Sequence, residues 1–88
     1  MKTYHLTVST PDGNAYDGEC LCLAVRGTEG ELAIMAGHIP FVTSLVPSEC
    51  KILTEDESEI EATLTGGVLT VGEDSVTLIA GSFELKNQ

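Results

Sequence analysis

Alternation of apolar and polar residues is the feature of this sequence that most limits its fold. The segment TYHLTVS places Tyr4, Leu6 and Val8 on one face of an extended chain, and the later segment EIEATLT repeats the pattern. A period of two is typical of a strand with one buried face, whereas an amphipathic helix repeats near 3.6 residues. Because nothing up to Ala80 follows the helical period, the sequence predicts an all-β chain.

Proline, glycine and acidic turn signals divide the chain at intervals of about 8 to 12 residues, which is the spacing of a β-sandwich or flattened barrel with about eight to ten short strands. The run ECLCLAV, after a break at Asp17 and Gly18, reads as a strand covered on both faces. The predicted domain covers residues 1–81. The tail 82–88 could begin a short helix, with Ser82 as its N-cap.

Charge restricts the possible partners of a domain this small. The 88 residues are enough for one modest core. Fourteen Asp and Glu residues against four Lys and Arg give a formal net charge of -10. Nucleic acid and anionic lipid headgroups require a basic surface, so both are poor partners, and a basic protein surface is a better one.

Targeting signals and a disulfide framework are not indicated. No apolar run approaches the roughly 18 residues of a membrane span, and the start MKTYHLTV lacks the apolar region of a signal peptide. The three cysteines are odd in number, which fits a reducing compartment. We expect a soluble, cytosolic chain that is a monomer in isolation, because its charge is high.

A thiol or metal site is the first chemical alternative. Cys20 and Cys22 are two residues apart in a predicted strand, so their side chains should share a face, and His5 or His38 could join them. Zinc sites usually place their cysteine pair on a turn that wraps the ion, which a strand does poorly. We therefore expect cysteines that pack, and no metal.

Other catalytic arrangements are weakly supported. Ser44, His38 and an acid could form a triad in space, but the sequence has no nucleophile elbow. The carboxylates of Thr54–Glu61 fall on a hairpin turn and its return strand, where charge discourages strand aggregation. Gly66 and Gly67 precede no helix and so form a turn rather than a phosphate loop. We expect no enzymatic activity.

The stretch GTEGELAIMAGHIPF, Gly27–Phe41, concentrates glycines, acids and a short apolar run. Its glycines permit tight turns that should bring two loops to one end of the sandwich. Composition leaves two interpretations open. Either the loops are solvated turns, or they form a docking edge in which Glu29 and Glu31 lie beside an apolar patch of His38, Ile39 and Phe41.

The longer string GTEGELAIMAGHIPFVTSL resembles the signature of the epsilon subunit of F-type ATP synthases, in its N-terminal β-sandwich domain. Further landmarks fall in the family's order: YHLTVSTPDG, YDGE, LTGGVLTV and VTLIA. The resemblance covers about residues 2–81. It departs from the family at Ala33 and Ala36, where Gly and Pro are common, and the family's two-helix hairpin has no counterpart in 82–88. The chain is then either a natural short form or one cut at the domain boundary. The Met1 start and the polar ending KNQ favour the natural short form, for which we expect no inhibition by a helical arm.

The resemblance implies a noncatalytic rotor subunit without a cofactor, which pairs with the gamma subunit, sits on the polar loops of the c-ring and helps couple ion translocation to ATP synthesis. It would lie peripherally at the cytoplasmic face of a bacterial plasma membrane without lipid insertion. Thr28, Glu29 and Glu31 would face basic c-ring loops. The implied gamma-binding residues are His38, Ile39, Pro40, Phe41, Val42 and Thr43. The alternative is a free-standing acidic adaptor that binds another basic protein or a small ligand through the 27–43 loop edge.

Overall fold

Nine strands and no helix make up residues 2–86, the part of the chain that the computed structural model describes. This confirms the all-β prediction and the expected number of strands. The strands are β1 Tyr4–Thr10, β2 Gly13–Gly27, β3 Gly30–Met35, β4 Phe41–Leu45, β5 Ser48–Thr54, β6 Glu59–Leu64, β7 Gly67–Val71, β8 Ser75–Ala80 and β9 Phe83–Leu85. Residues 2–86 therefore contain no helix of the length and apolar character that a membrane crossing requires.

Strand β2 is shared by the two layers of the sandwich. Its first half pairs with β1, and the layer continues from β1 through β8 and β7 to β4. Its second half pairs with β3 on one edge and β5 on the other, followed by β6 and β9. The first layer closes on itself where Leu45 of β4 lies opposite Gly27. The β1–β8 pair is parallel, and all others are antiparallel.

A β-bulge carries β2 from one layer to the other. Cys20 lies opposite Thr54 of β5, but Cys22 lies opposite Leu53, so two residues advance on β2 for one on β5. Such a bulge bends a strand and changes which residues point inward. Cys20 is fully buried in the core and Cys22 is only partly buried, while Leu23 takes the next core position. The prediction that the two cysteines share a face was therefore wrong.

The core lies between the layers and is built by the alternation visible in the sequence. Tyr4, Leu6 and Val8 of β1 are buried, and the buried residues within 2–86 include no charged or polar type. The Tyr4 hydroxyl of β1 also points into the core, where it donates a 2.7 Å hydrogen bond to the carbonyl oxygen of Ile34. Burial of this hydroxyl raises the pKa of Tyr4, which therefore stays neutral and keeps its bond.

The predicted break at Asp17 and Gly18 is absent, because β2 continues through both residues. Asp17 lies opposite Thr7 and Gly18 opposite Leu6, within the unbroken β1–β2 ladder. A Cβ at Gly18 would make only an ordinary van der Waals contact, 3.5 Å from the Tyr16 hydroxyl oxygen, so the strand has room for a side chain there. The expectation that ECLCLAV is covered on both faces holds at Cys20 and Leu21, which are both buried, but not farther along the strand.

The expected short helix after Ser82 is also absent. Phe83–Leu85 forms strand β9, which pairs with β6 through Leu64, Thr63 and Ala62. The Lys86 amide extends the pairing by donating a 2.9 Å bond to the Glu61 carbonyl oxygen. An available strand edge outweighs helix propensity in so short a segment, since isolated short helices are marginal in water. The rest of the predicted helical segment, 87–88, lies outside the described residues.

Candidate docking surfaces

The first candidate surface is the acidic tip, which we define as Thr28–Glu31 at the end of the β2–β3 hairpin. Gly27 pairs with Gly30, so Thr28 and Glu29 form a two-residue turn. Gly30 has φ of 126°, a value that favours glycine because a Cβ would crowd the backbone there. The Thr28 amide donates a 3.2 Å bond to the Ser44 carbonyl oxygen, which ties the tip to the end of β4.

Glu31 in the acidic tip is already paired within the chain. It lies directly across the hairpin from Arg26, and the Arg26 Nη2 donates a 3.0 Å hydrogen bond to Oε2 of Glu31. Both side chains are exposed, at 51% for Arg26 and 78% for Glu31. Glu29 and Thr28 are also exposed. The sequence-predicted c-ring-facing residues therefore lie together on the surface, with a cation beside them that the sequence analysis did not consider.

The second candidate surface begins at the loop between β3 and β4. The His38 amide donates a 3.3 Å bond to the Met35 carbonyl oxygen, which closes the turn after β3, and Gly37 has φ of 87°. The His38 ring lies 5.0 Å from the Phe41 ring, centroid to centroid, at a tilt of 47°. This contact holds the loop against the start of β4 and leaves Ile39 exposed at 77%.

The six predicted gamma-binding residues do not all face outward. His38, Ile39 and Pro40 are exposed in the loop, and Val42 is exposed at 66% on β4. Phe41 packs partly buried against the core, and Thr43 is partly buried on the same side of β4. Alternation along a strand makes this division unavoidable, because neighbouring side chains point to opposite faces.

The two candidate surfaces lie at opposite ends of the sandwich. Strand β3 leaves the acidic tip at Gly30 and reaches the His38 loop after Met35, and β4 returns from Phe41 to Leu45 beside Gly27. Six residues of extended chain separate the ends by about 17 Å. The expectation that the glycines bring both loops to one end was wrong, because the segment between them is a complete strand.

Strands β4, β7 and β8 form an uncharged face, which sequence reasoning missed. None of the three contains an Asp, Glu, Lys, Arg or His residue. The pairs Ser44–Val68 and Val68–Ile79 lie opposite each other, and Val42 lies opposite Thr70. The sequence did contain an indication of this face: within each of the three strands, an apolar residue occupies a position that the alternation assigns to the solvent side. The exposed side chains of this face are Val42, Ser44, Val68, Thr70, Ser75 and Ile79.

The residues considered for thiol or metal chemistry are separated. Cys20 and Cys50 are buried, and desolvation raises the pKa of Cys20 and raises that of Cys50 to about 12. A thiol kept protonated is a poor nucleophile and a poor metal ligand. His5 pairs with Asp17 and with Glu19 on the surface. Across residues 2–86, no three His, Cys, Asp or Glu side chains form a group that could hold a metal ion.

The residues considered for acid–base or triad chemistry also lie apart. Ser44 is exposed near the acidic tip, whereas His38 lies beyond the other end of β4 and its Nδ1 is 2.9 Å from the Ile39 carbonyl oxygen. The acidic turn is exposed at Glu55–Ser58, and hydrogen bonds led by the Thr54 hydroxyl lower the pKa of Asp56. The Asp56 carboxylate accepts bonds from the Thr54 hydroxyl and the Ser58 amide and so caps its own hairpin.

The fold and the two separated surfaces define a small β-sandwich domain with an acidic turn at one end and an uncharged face along one layer. Residues 3–86 match the family model described as the ATP synthase delta/epsilon chain β-sandwich domain. The chain therefore belongs to that family, as the resemblance of its central motif predicted.

Relatives in three bacteria extend the comparison. The chain is 36% identical over 88 residues to the ATP synthase epsilon chain of an Exiguobacterium species and also 36% identical over 88 residues to that of Bacillus licheniformis. It is 40% identical over 85 residues to the epsilon chain of Alkalihalophilus pseudofirmus. It spans 65%, 66% and 63% of the lengths of these three proteins.

Solved structures share the fold at lower identity. A chain of the Euglena gracilis mitochondrial ATP synthase, in an OSCP/F1/c-ring structure, superposes with a TM-score of 0.89 at 21% identity, over 94% of this chain and 53% of that one. A chain of the Tetrahymena thermophila mitochondrial ATP synthase central stalk and c-ring gives 0.75 at 18% identity, over 90% and 63%. At such identities the likeness supports the fold.

Proposed function

We propose that this chain is a noncatalytic rotor subunit of an F-type ATP synthase, which joins the gamma subunit to the c-ring and helps couple ion translocation to ATP synthesis. The observation that carries the proposal is its 36% identity to an epsilon chain over all 88 residues. The docking unit in this proposal is the sandwich of residues 1–81, extended at its edge by Phe83–Leu85 of β9.

The gamma subunit is proposed to bind along β4 and the uncharged face. Of the six residues that the resemblance assigns to this contact, His38, Ile39, Pro40 and Val42 are exposed and available for it. Val68 and Ile79 extend the same apolar surface across β7 and β8, at 41% and 55% exposure. A contiguous exposed apolar patch on a small soluble domain commonly marks a protein interface. Phe41 and Thr43, which are partly buried, would then act mainly by shaping the start of β4.

The c-ring is proposed to bind at the opposite end, on the acidic tip. Thr28, Glu29 and Glu31 are exposed there, and the formal net charge of -10 favours approach to a cationic surface. The His38 loop lies about 17 Å from the tip, whereas Val68 lies opposite Ser44 beside it, so the two partners would bind adjoining surfaces. A stiff sandwich between them suits the transmission of torque, because close-packed interiors deform little.

The subunit is proposed to lie at the cytoplasmic face of a bacterial plasma membrane, held there by protein contacts. Its relatives come from bacteria, and its acidic surface is repelled by anionic lipid headgroups. The proposal assigns no catalytic residue and requires no cofactor. Cys50 and Cys20 keep their protons by burial, and the exposed Ser44 lies away from His38.

Capture of the gamma subunit of the same organism tests the proposal. Val42→Glu places a charge on the uncharged face, and Leu85→Glu is a matched control at an equally exposed apolar site on β9, with 66% and 67% exposure. We expect the unsubstituted chain and Leu85→Glu to capture gamma and Val42→Glu to lose it. Glu31→Lys should keep gamma while weakening attachment of the complex to the c-ring. Failure of the unsubstituted chain to bind gamma at micromolar concentrations would favour the free-standing adaptor instead.

A further inference from the structure

Arg26 occupies a position that neither stability nor core packing explains. It is one of only four Lys and Arg residues among the 88 of the chain. The antiparallel register of the β2–β3 hairpin places it directly opposite Glu31, at 3.0 Å between Nη2 and Oε2. Arg26 thus offsets part of the negative charge of the acidic tip. It does so at Glu31, whose side chain is the more exposed of the two.

The pair contributes little to the fold. Exposed ion pairs are worth about 0.2–1 kcal/mol, and many contribute nothing measurable. The hairpin is already held by the Gly27–Gly30 pair and by the bond from the Thr28 amide to the Ser44 carbonyl oxygen. The main effect of Arg26 is therefore on the electrostatic potential around the tip. The segment Arg26–Glu31 contains one cation and the two carboxylates of Glu29 and Glu31, so its formal charge is -1.

We propose that Arg26 sets the affinity of the acidic tip by competing, within the chain, with any cationic group that approaches Glu31. This inference rests on the proposed function, in which the tip meets basic loops of the c-ring. The incoming cation has to share the Glu31 carboxylate with a guanidinium already bonded to one of its oxygens, and it is repelled by that guanidinium at short range. Arg26 therefore weakens the electrostatic contact between the acidic tip and its partner and reduces the dependence of that contact on salt.

The test measures binding of the complex between this chain and gamma to the detergent-solubilised c-ring of the same organism, across a series of salt concentrations. We expect Arg26→Gln to tighten binding about two- to fivefold at low salt, the range of an exposed ion pair. The gain should disappear near 0.5 M salt, where the Debye length is only about 4 Å. Arg26→Lys keeps the cation and should bind within twofold of the unsubstituted chain.

Lys51→Gln is the matched control. Lys51 lies opposite Glu61 on β5 and β6, with 3.9 Å between Nζ and Oε2, and its loss changes the net charge by the same amount. The register places it two strand spacings across and two residues along from Glu31, about 12 Å away. This exceeds the Debye length of about 10 Å at 0.1 M salt, the concentration at which the two substitutions are compared. Lys51→Gln should leave c-ring binding unchanged. Equal tightening by both substitutions would overturn the inference, because net charge alone would then account for the effect.

A double-mutant cycle separates this inference from the function on which it rests. Glu31→Gln should weaken c-ring binding more in the Arg26→Gln background than in the unsubstituted chain, because Arg26 no longer occupies the carboxylate. If Glu29→Gln and Glu31→Gln both leave c-ring binding unchanged, the proposed c-ring contact is wrong and the inference falls with it. If they weaken binding while Arg26→Gln does not tighten it, only the role of Arg26 is refuted.

Discussion

Gly67 is the glycine at which the structure leaves no room for a side chain. A Cβ on this residue would lie 2.0 Å from the Ile79 carbonyl oxygen and 2.9 Å from the Ala80 Cα. Both are backbone atoms of β8, the strand with which β7 pairs, and Gly67 lies opposite Ala80. Since backbone cannot turn aside as a side chain can, Gly67→Ala has to push the ends of β7 and β8 apart.

The cost of Gly67→Ala follows from that displacement. Relief of a 2.0 Å contact requires the two strand ends to separate, which breaks the last hydrogen bonds of the β7–β8 ladder. Overpacking in a tight site costs about 1–3 kcal/mol and occasionally more, and a rigid backbone wall places this site at about 3 kcal/mol or above. For a domain of this size, about 3 kcal/mol lowers Tm by roughly 12–24 °C.

Gly30→Ala is the matched control, because it tests backbone conformation without a steric clash. Gly30 has φ of 126°, and no atom outside Gly30 and its two chain neighbours lies within 4 Å of the position that a Cβ would take. It should lose about 1–3 kcal/mol, the cost of holding a non-glycine residue in a sparsely populated backbone conformation. Urea unfolding followed by far-UV circular dichroism, analysed by linear extrapolation, measures both variants. A loss at Gly67→Ala no larger than that at Gly30→Ala would refute the steric argument.

Three further predictions concern the core, the thiols and the C-terminal strand. Leu78→Ala removes a fully buried side chain and should cost about 3–5 kcal/mol in the same urea assay; a loss below about 1 kcal/mol would contradict its place in the core. Burial raises the pKa of the Cys50 thiol to about 12, so its contribution to stability is complete below the unfolded pKa and is lost as the pH rises through the folded value. Cys50→Ala should therefore reduce the alkaline loss of stability measured by urea unfolding, and an unchanged loss would contradict this reasoning. Lys86→Gln should raise the pKa of Glu49, which the 2.8 Å bond from Lys86 Nζ holds below its usual range, and an unchanged carboxyl titration by NMR would count against that bond.

Much of the fold could be predicted from local pattern. The alternation in TYHLTVS and EIEATLT placed Tyr4, Leu6 and Leu64 in the core, where the structure has them buried. The acidic turn near Glu55 and the prolines at the strand ends marked boundaries correctly. These features depend on near neighbours in sequence, because a strand buries every second residue and a turn requires particular backbone angles.

The sequence allowed the residues of the candidate surfaces to be predicted, but not the positions of those surfaces relative to each other. The motif identified the acidic tip and the His38 loop, yet the expectation that they meet at one end failed because β3 runs the whole way between them. The uncharged face was missed because Val42, Val68 and Ile79 are distant in sequence and become neighbours only through the β4–β7–β8 pairing. The Arg26–Glu31 pair likewise depends on the register of one hairpin.

The sequence by itself determined that this is an all-β chain, which alternating residues face the core, and to which family the chain is similar, because periodicity and motif are local properties. Only the tertiary structure decided that a bulge sends Cys20 inward and Cys22 outward, and that Phe83–Leu85 becomes a strand. Both outcomes depend on the neighbouring strand, β5 for the bulge and β6 for β9. Pairing between strands is a long-range property, and its register settles which side chains meet.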